Sequence, residues 1–115
     1  MANEIKVGFD DGHTLYVCIR DDTGQIYDVG DTAFEAVGTW DDARAGECDI
    51  ALTAKDGELY LGDFPDVANG TYLVQLYSQA GANPDTDDDD YLGGEVFVWD
   101  GSTAVLISMH HFKLL

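Results

Sequence analysis

The stretch that decides the fold runs from Asp49-Ile50-Ala51-Leu52-Thr53 through Glu58-Leu59-Tyr60-Leu61-Gly62-Asp63-Phe64-Pro65 to Gly70-Thr71-Tyr72-Leu73-Val74-Gln75-Leu76-Tyr77. Short runs of β-branched, aromatic and aliphatic residues alternate here with turn residues, the pattern of consecutive β-strands. Lys55-Asp56-Gly57 supplies the Asp-Gly step that tight turns prefer, so Cys48–Ala54 and Glu58–Phe64 read as a hairpin. Pro65 has no amide hydrogen to give to a ladder and ends the second run. Thr71–Ser78, rich in good β-formers, is the third strand.

Outward from this stretch the same chemistry repeats. In Ile5–Phe9, Ile5, Val7 and Phe9 alternate with Lys6 and Gly8, as a half-buried strand requires. Thr14–Arg20 places Leu15, Val17 and Ile19 on one face and Tyr16 and Cys18 on the other, so it is expected to be a central strand covered on both sides. Asp21-Asp22-Thr23-Gly24 makes a turn into a short strand at Gln25–Asp28. Between Gly30 and Glu47, Phe34 and Trp40 are apolar anchors without a sustained period. A short strand at Ala33–Ala36 and one helical turn near Trp40–Ala45 are expected there. On the other side, Gln79–Asp90 reads as a polar loop whose Asp85 and Asp87–Asp90 are too mutually repulsive to pack. Tyr91–Trp99 resumes a strand, and Asp100-Gly101 turns it into a last strand from Thr103 to about His110. About eight short strands at these spacings predict one all-β domain over 1–115, an immunoglobulin-like or transthyretin-like antiparallel β-sandwich. Gly70-Thr71-Tyr72 is a step that commonly opens a strand in such folds. Residues 103–115 are expected to supply the last strand and an apolar terminus that assembly could use.

The charge balance narrows the function. With 23 acidic residues against 5 basic ones the chain carries a formal charge of −18. Phosphate backbones and anionic lipids repel such a surface, which excludes nucleic acid and membrane surfaces as partners. The 45% apolar content is too high for a disordered chain. No apolar run of about 18 residues is present to cross a bilayer, and Met1–Ile5 lacks a basic region leading into a hydrophobic stretch, so a soluble protein without an evident export signal is expected. Cys18 and Cys48 fall in expected strands and read as small buried hydrophobes, with no spacing that points to zinc.

The ordered set Asp49-Ile50-Ala51-Leu52-Thr53, Gly62-Asp63-Phe64-Pro65, Gly70-Thr71-Tyr72, Tyr77-Ser78-Gln79-Ala80-Gly81 and Trp99-Asp100-Gly101-Ser102 resembles short motifs of small accessory proteins of tailed bacteriophages and prophages. The resemblance covers roughly Gly24 to Ser102 and does not extend to Thr103–Leu115. It implies an immunoglobulin-like structural component of a virion, with no catalytic residues to carry over. The expected function is capsid decoration or tail attachment at the virion surface, after assembly in the host cytoplasm. The expected partner is a capsid or tail protein, with a homo-oligomer as a further option, and no cofactor is implied.

Four kinds of site compete with that reading. Asp85 and Asp87–Asp90 have the oxygen density that calcium needs, and the turns at Asp10-Asp11 and Asp21-Asp22 could join them. The run lacks the EF-hand pattern, however, and a solvated acidic loop is the simpler account. A calcium-dependent module binding a glycan or surface protein is the alternative function. His110 and His111 are adjacent on a strand and point to opposite faces, and His13 sits in a turn, so no catalytic constellation and no enzyme is expected. Six Tyr and two Trp could form a sugar platform, but in a small sandwich they more often fill the core. Met109, Phe112, Leu114 and Leu115 are the candidate partner-binding residues. Each Leu or Phe buried at an interface contributes roughly 1.5 to 3 kcal/mol.

Overall fold

Among the described residues, alternating side chains build ten strands, and one short helix joins them. The computed structural model describes residues 3–102 and 104–106. The strands are β1 (Ile5–Gly8), β2 (Leu15–Arg20), β3 (Ile26–Asp28), β4 (Ala33–Glu35), β5 (Ile50–Ala51), β6 (Thr53–Ala54), β7 (Leu59–Gly62), β8 (Gly70–Ser78), β9 (Asp90–Trp99) and β10 (Ala104–Leu106). Helix α1 (Asp42–Cys48) lies between β4 and β5. A small sheet has the order β1-β7-β6, and a large one the order β10-β9-β8-β2-β3-β4, with β5 also paired to β2. Every pairing is antiparallel. The result is an all-β, sandwich-like arrangement.

The two faces of β2 explain the layering. Val17 and Ile19 enter a core with Ile5 of the small sheet and Tyr72, Val74, Phe64 and Trp99. Tyr16 and Cys18 point the other way, into a second cluster with Ile26, Cys48, Val37, Trp40 and Tyr77. The central, doubly covered strand expected from the alternation is present: all five residues from Leu15 to Ile19 are buried. Trp99 anchors the first core, stacked on Phe64 at 4.5 Å and donating its indole N–H to the Val67 carbonyl at 3.2 Å.

Three local expectations are revised. Cys48 is the last residue of α1, not the first of a strand, because Asp41 caps that helix by accepting the Arg44 amide at 2.9 Å and so extends it past one turn. The run expected as one strand, Cys48–Ala54, is two. Ile50–Ala51 pairs with β2 in the large sheet, and Thr53–Ala54 pairs with β7 in the small one. Leu52 is the corner between them, its amide bonded to the Leu15 carbonyl at 2.9 Å. The hairpin to β7 forms as expected, through Asp56, Gly57 and Glu58, all at positive φ. Finally, the loop before β9 does pack, for reasons given below.

Candidate functional site

The corner at Leu52 joins the two sheets along one side of the sandwich. On the opposite side β1 and β9 face each other across a cleft of about 720 Å³, with no strand between them among the described residues. Ile5 and Val7 line one wall, and Val74, Leu76 and Phe97 the other. Among the described residues β1 pairs with β7, and β10 pairs with β9 at Phe97–Trp99. These two strands flank an apolar opening. Glu95 lies opposite Val74 and alternates with Phe97 and Trp99, so the pleat turns it toward the cleft. Partial burial raises the pKa of its carboxyl above the ordinary value.

The outer face of the same strands is also apolar. Leu73 pairs with Val96 and Thr71 with Val98, placing Leu73, Val96 and Val98 on the side away from the sandwich core. None of the three belongs to the cluster that α1 and Trp40 cover, and Val98 is 37% exposed. Tyr91 and Leu92, at the start of β9, are exposed as well. The other Tyr and Trp side chains are buried or partly buried, chiefly in the two cores, which leaves Tyr91 alone rather than a platform of rings.

The acidic residues singled out for calcium serve the backbone. Asp89 accepts the Tyr16 hydroxyl at 2.6 Å and the amides of Ala80 and Asp85 at 2.9 Å each. Burial pushes its pKa up, but these donors prevail and hold it below the ordinary carboxylate value. Asp85 accepts the amides of Asp87 and Asp88. Asp11 accepts those of Gly57 and Glu58, and Asp21 those of Thr23 and Gln25. Backbone N–H groups thus stabilise the charged carboxylates of a loop that counting charges alone says should repel. The carboxylates that do converge are others: Asp28, Asp31 and Glu35 bring ligand atoms within 4.8 Å of one another. Arg44 already occupies two of the three, Asp28 at 2.8 Å and Glu35 at 3.3 Å, so this cluster is paired with a cation of the protein's own. The Asp31 amide, against burial and with help from Arg44, holds Asp28 below its ordinary pKa, whereas the Asp31 carboxyl and burial raise Glu35.

His13 approaches the Ser78 hydroxyl at 3.4 Å, but both are outside the two clefts described, the second of which is a polar one of about 590 Å³ beside Asp42 and Pro84. Cys18 and Cys48 are free and buried, and burial raises their thiols to about 12 and about 11, which keeps both protonated and inert. Met109, Phe112, Leu114, Leu115, His110 and His111 lie outside the described residues. The cleft and the outer strip were not anticipated from sequence. Their only signal is the lack of polar alternation in Val96-Phe97-Val98, where each face of β9 stays apolar. No family model, no curated protein and no solved structure matches this chain.

Proposed function

We propose that the chain is a non-enzymatic accessory protein of a virion, held on a capsid or tail protein, with its acidic surface turned to solvent. The observation that carries the attachment part is the outer strip Leu73, Val96 and Val98 on β8 and β9, on a molecule otherwise dominated by carboxylates. Apolar contact through a small area suits a partner that repeats on a lattice, where multiplicity raises the overall affinity. A charge of −18 supports a position on the outside of a particle, away from packaged nucleic acid. The virion setting itself rests on the resemblance of the motifs between Gly24 and Ser102.

Quantitative mass spectrometry of gradient-purified particles, normalised to the major capsid protein, tests this function. A high fixed copy number is expected for capsid decoration, and a handful of copies for a tail or neck position. Absence from particles overturns the virion reading. Release by a chelator would favour the calcium-dependent binding module instead.

A further inference from the structure

We propose that Cys18 and Cys48 are a redox pair: when α1 opens, a small disulfide oxidant converts them to an intramolecular disulfide that pins the helix to β2. The chemistry does not rest on the virion reading. Its timing does, since a chain assembled in a reducing host cytoplasm meets oxidising surroundings only on a released particle.

The fold brings the chain's two thiols together from different elements. Cys18 is on the outer face of β2 and Cys48 is the last residue of α1, both fully buried in one cluster with Tyr16 and Ile26. Tyr16 pairs with Ala51 and Val17 with Ile50, so the next step along both segments sets the extended Asp49 beside Cys18, one residue from Cys48. Opposed Cα atoms on antiparallel strands are about 4.5 to 5.5 Å apart, and disulfides span about 4.4 to 6.8 Å. Closing the bond therefore asks only the end of the helix to adjust. After burial itself, Cys48 is the largest influence raising the Cys18 thiol, which places the two sulfurs near one another.

Inert while the helix is docked, the two thiols have unequal parts once it opens. β2 is held along all six residues by β8, and on its other side by β3 and β5. α1 has seven residues, too few for a helix to persist without its contacts. It is fastened by the Thr86 amide to Asp42 at 2.9 Å, Arg44 to Asp28 at 2.8 Å and the Val29 amide to the Glu47 carbonyl at 2.9 Å. Local opening therefore releases Cys48 before Cys18. Burial raises the Cys48 thiol to about 11, less far than Cys18 at about 12, and Arg44 offsets part of that rise. The released Cys48 thiolate attacks the S–S bond of the oxidant, forms a mixed disulfide and expels one small thiol. Cys18 then attacks the Cys48 sulfur as the helix returns, and expels the second. Two protein thiols are oxidised, two electrons pass to the oxidant, and two small thiols carry away the two protons.

Oxidised glutathione, applied to the full chain in native buffer, tests the pair by intact mass and by alkylation after denaturation. The chain is expected to lose two hydrogens, remain monomeric and accumulate no glutathione adduct. Cys18→Ala is expected to stop with one glutathione on Cys48, at least about tenfold faster than Cys48→Ala takes one on Cys18. Asp41→Ala, which removes the cap of α1, is expected to speed disulfide formation about fivefold. Equal rates for the two single-cysteine variants overturn the proposal, because they mean that the thiols are reached only by global unfolding. Lasting adducts or disulfide-linked dimers overturn it as well, and so do thiols still intact after residues 42–48 have exchanged their amide hydrogens. In the oxidised chain, amide exchange at 42–48 is expected to slow at least about tenfold, and unchanged exchange overturns the pinning of α1. None of these measurements involves particles, so failure of the redox pair and failure of the virion assignment are separable.

Discussion

Asp89 condenses the chemistry of the acidic loop into one side chain. Its two oxygens hold a buried tyrosine hydroxyl and two backbone amides, tying residues 80 and 85 to β2 through Tyr16. Asp89→Ala leaves the Tyr16 hydroxyl without its acceptor and frees the loop. The expected loss is about 2 kcal/mol, three hydrogen bonds discounted for partial exposure, read as a lower urea midpoint. Tyr16→Phe in the Asp89→Ala background should cost much less than Tyr16→Phe alone, because its partner is already gone. The pH dependence has a definite sign. A carboxyl whose folded pKa is lowered contributes fully above its unfolded value near 4 and loses that contribution as pH falls through the folded one. The gap between native and Asp89→Ala proteins should therefore be constant near neutrality and close on acidification below about pH 4. A gap that instead widens in acid would mean that Asp89 is not held as the charged acceptor.

At the scale of elements, the corner at Leu52 turns two ladders into a sandwich, and it depends on a glycine facing it. A Cβ at Gly62 would run into the end of the Leu52 side chain. Gly62→Ala is expected to cost about 1 to 3 kcal/mol, since Leu52 has to leave its rotamer where it packs against the inter-sheet core. In a Leu52→Ala background the same substitution should cost under about 0.5 kcal/mol. Thermal denaturation of the four proteins gives the coupling directly, and additive losses would remove Leu52 as the neighbour responsible. The corner also marks where sequence reading stops. Strands such as β2 and β8 were legible because their alternation states which face is buried, and the turn at Asp56-Gly57 because its residues favour positive φ. Leu52 was not, because a run of good β-formers looks alike whether its hydrogen bonds go to one sheet or two. Cys48 was misread for a related reason: its helix is specified by the Asp41 cap and by burial against Cys18, neither of which leaves a period in seven residues. The cleft arises from pairings between distant segments, so the partner-binding residues chosen from sequence clustered instead in the terminal segment.

For the whole molecule, 23 carboxylates and 5 basic groups on a body with a radius of gyration of 13.5 Å set the response to salt. At 0.01 M salt the screening length is about 30 Å, larger than the molecule's radius, so nearly every charge feels every other. At 0.1 M it falls to about 10 Å and the repulsion becomes local. Unfolding spreads the charges apart, hence low salt favours the unfolded chain. Raising sodium chloride from 10 to 500 mM should increase Tm by about 5 °C, corresponding to about 1 kcal/mol for a chain of this length. The same experiment separates screening from specific cation binding. Micromolar calcium added at constant ionic strength leaves Tm unchanged if Asp85, Asp89 and their neighbours are committed to backbone amides, whereas a saturable rise means that a site forms among them. The proposed attachment is subject to the same distinction. Contact through Leu73, Val96 and Val98 survives high salt, because burial of apolar surface is not screened, while capture by a basic partner weakens steeply as salt rises. Co-sedimentation with particles across that salt range therefore tests the apolar strip as the anchor: retention at 500 mM is the expected result, and release in proportion to ionic strength would transfer the anchoring role to the carboxylates.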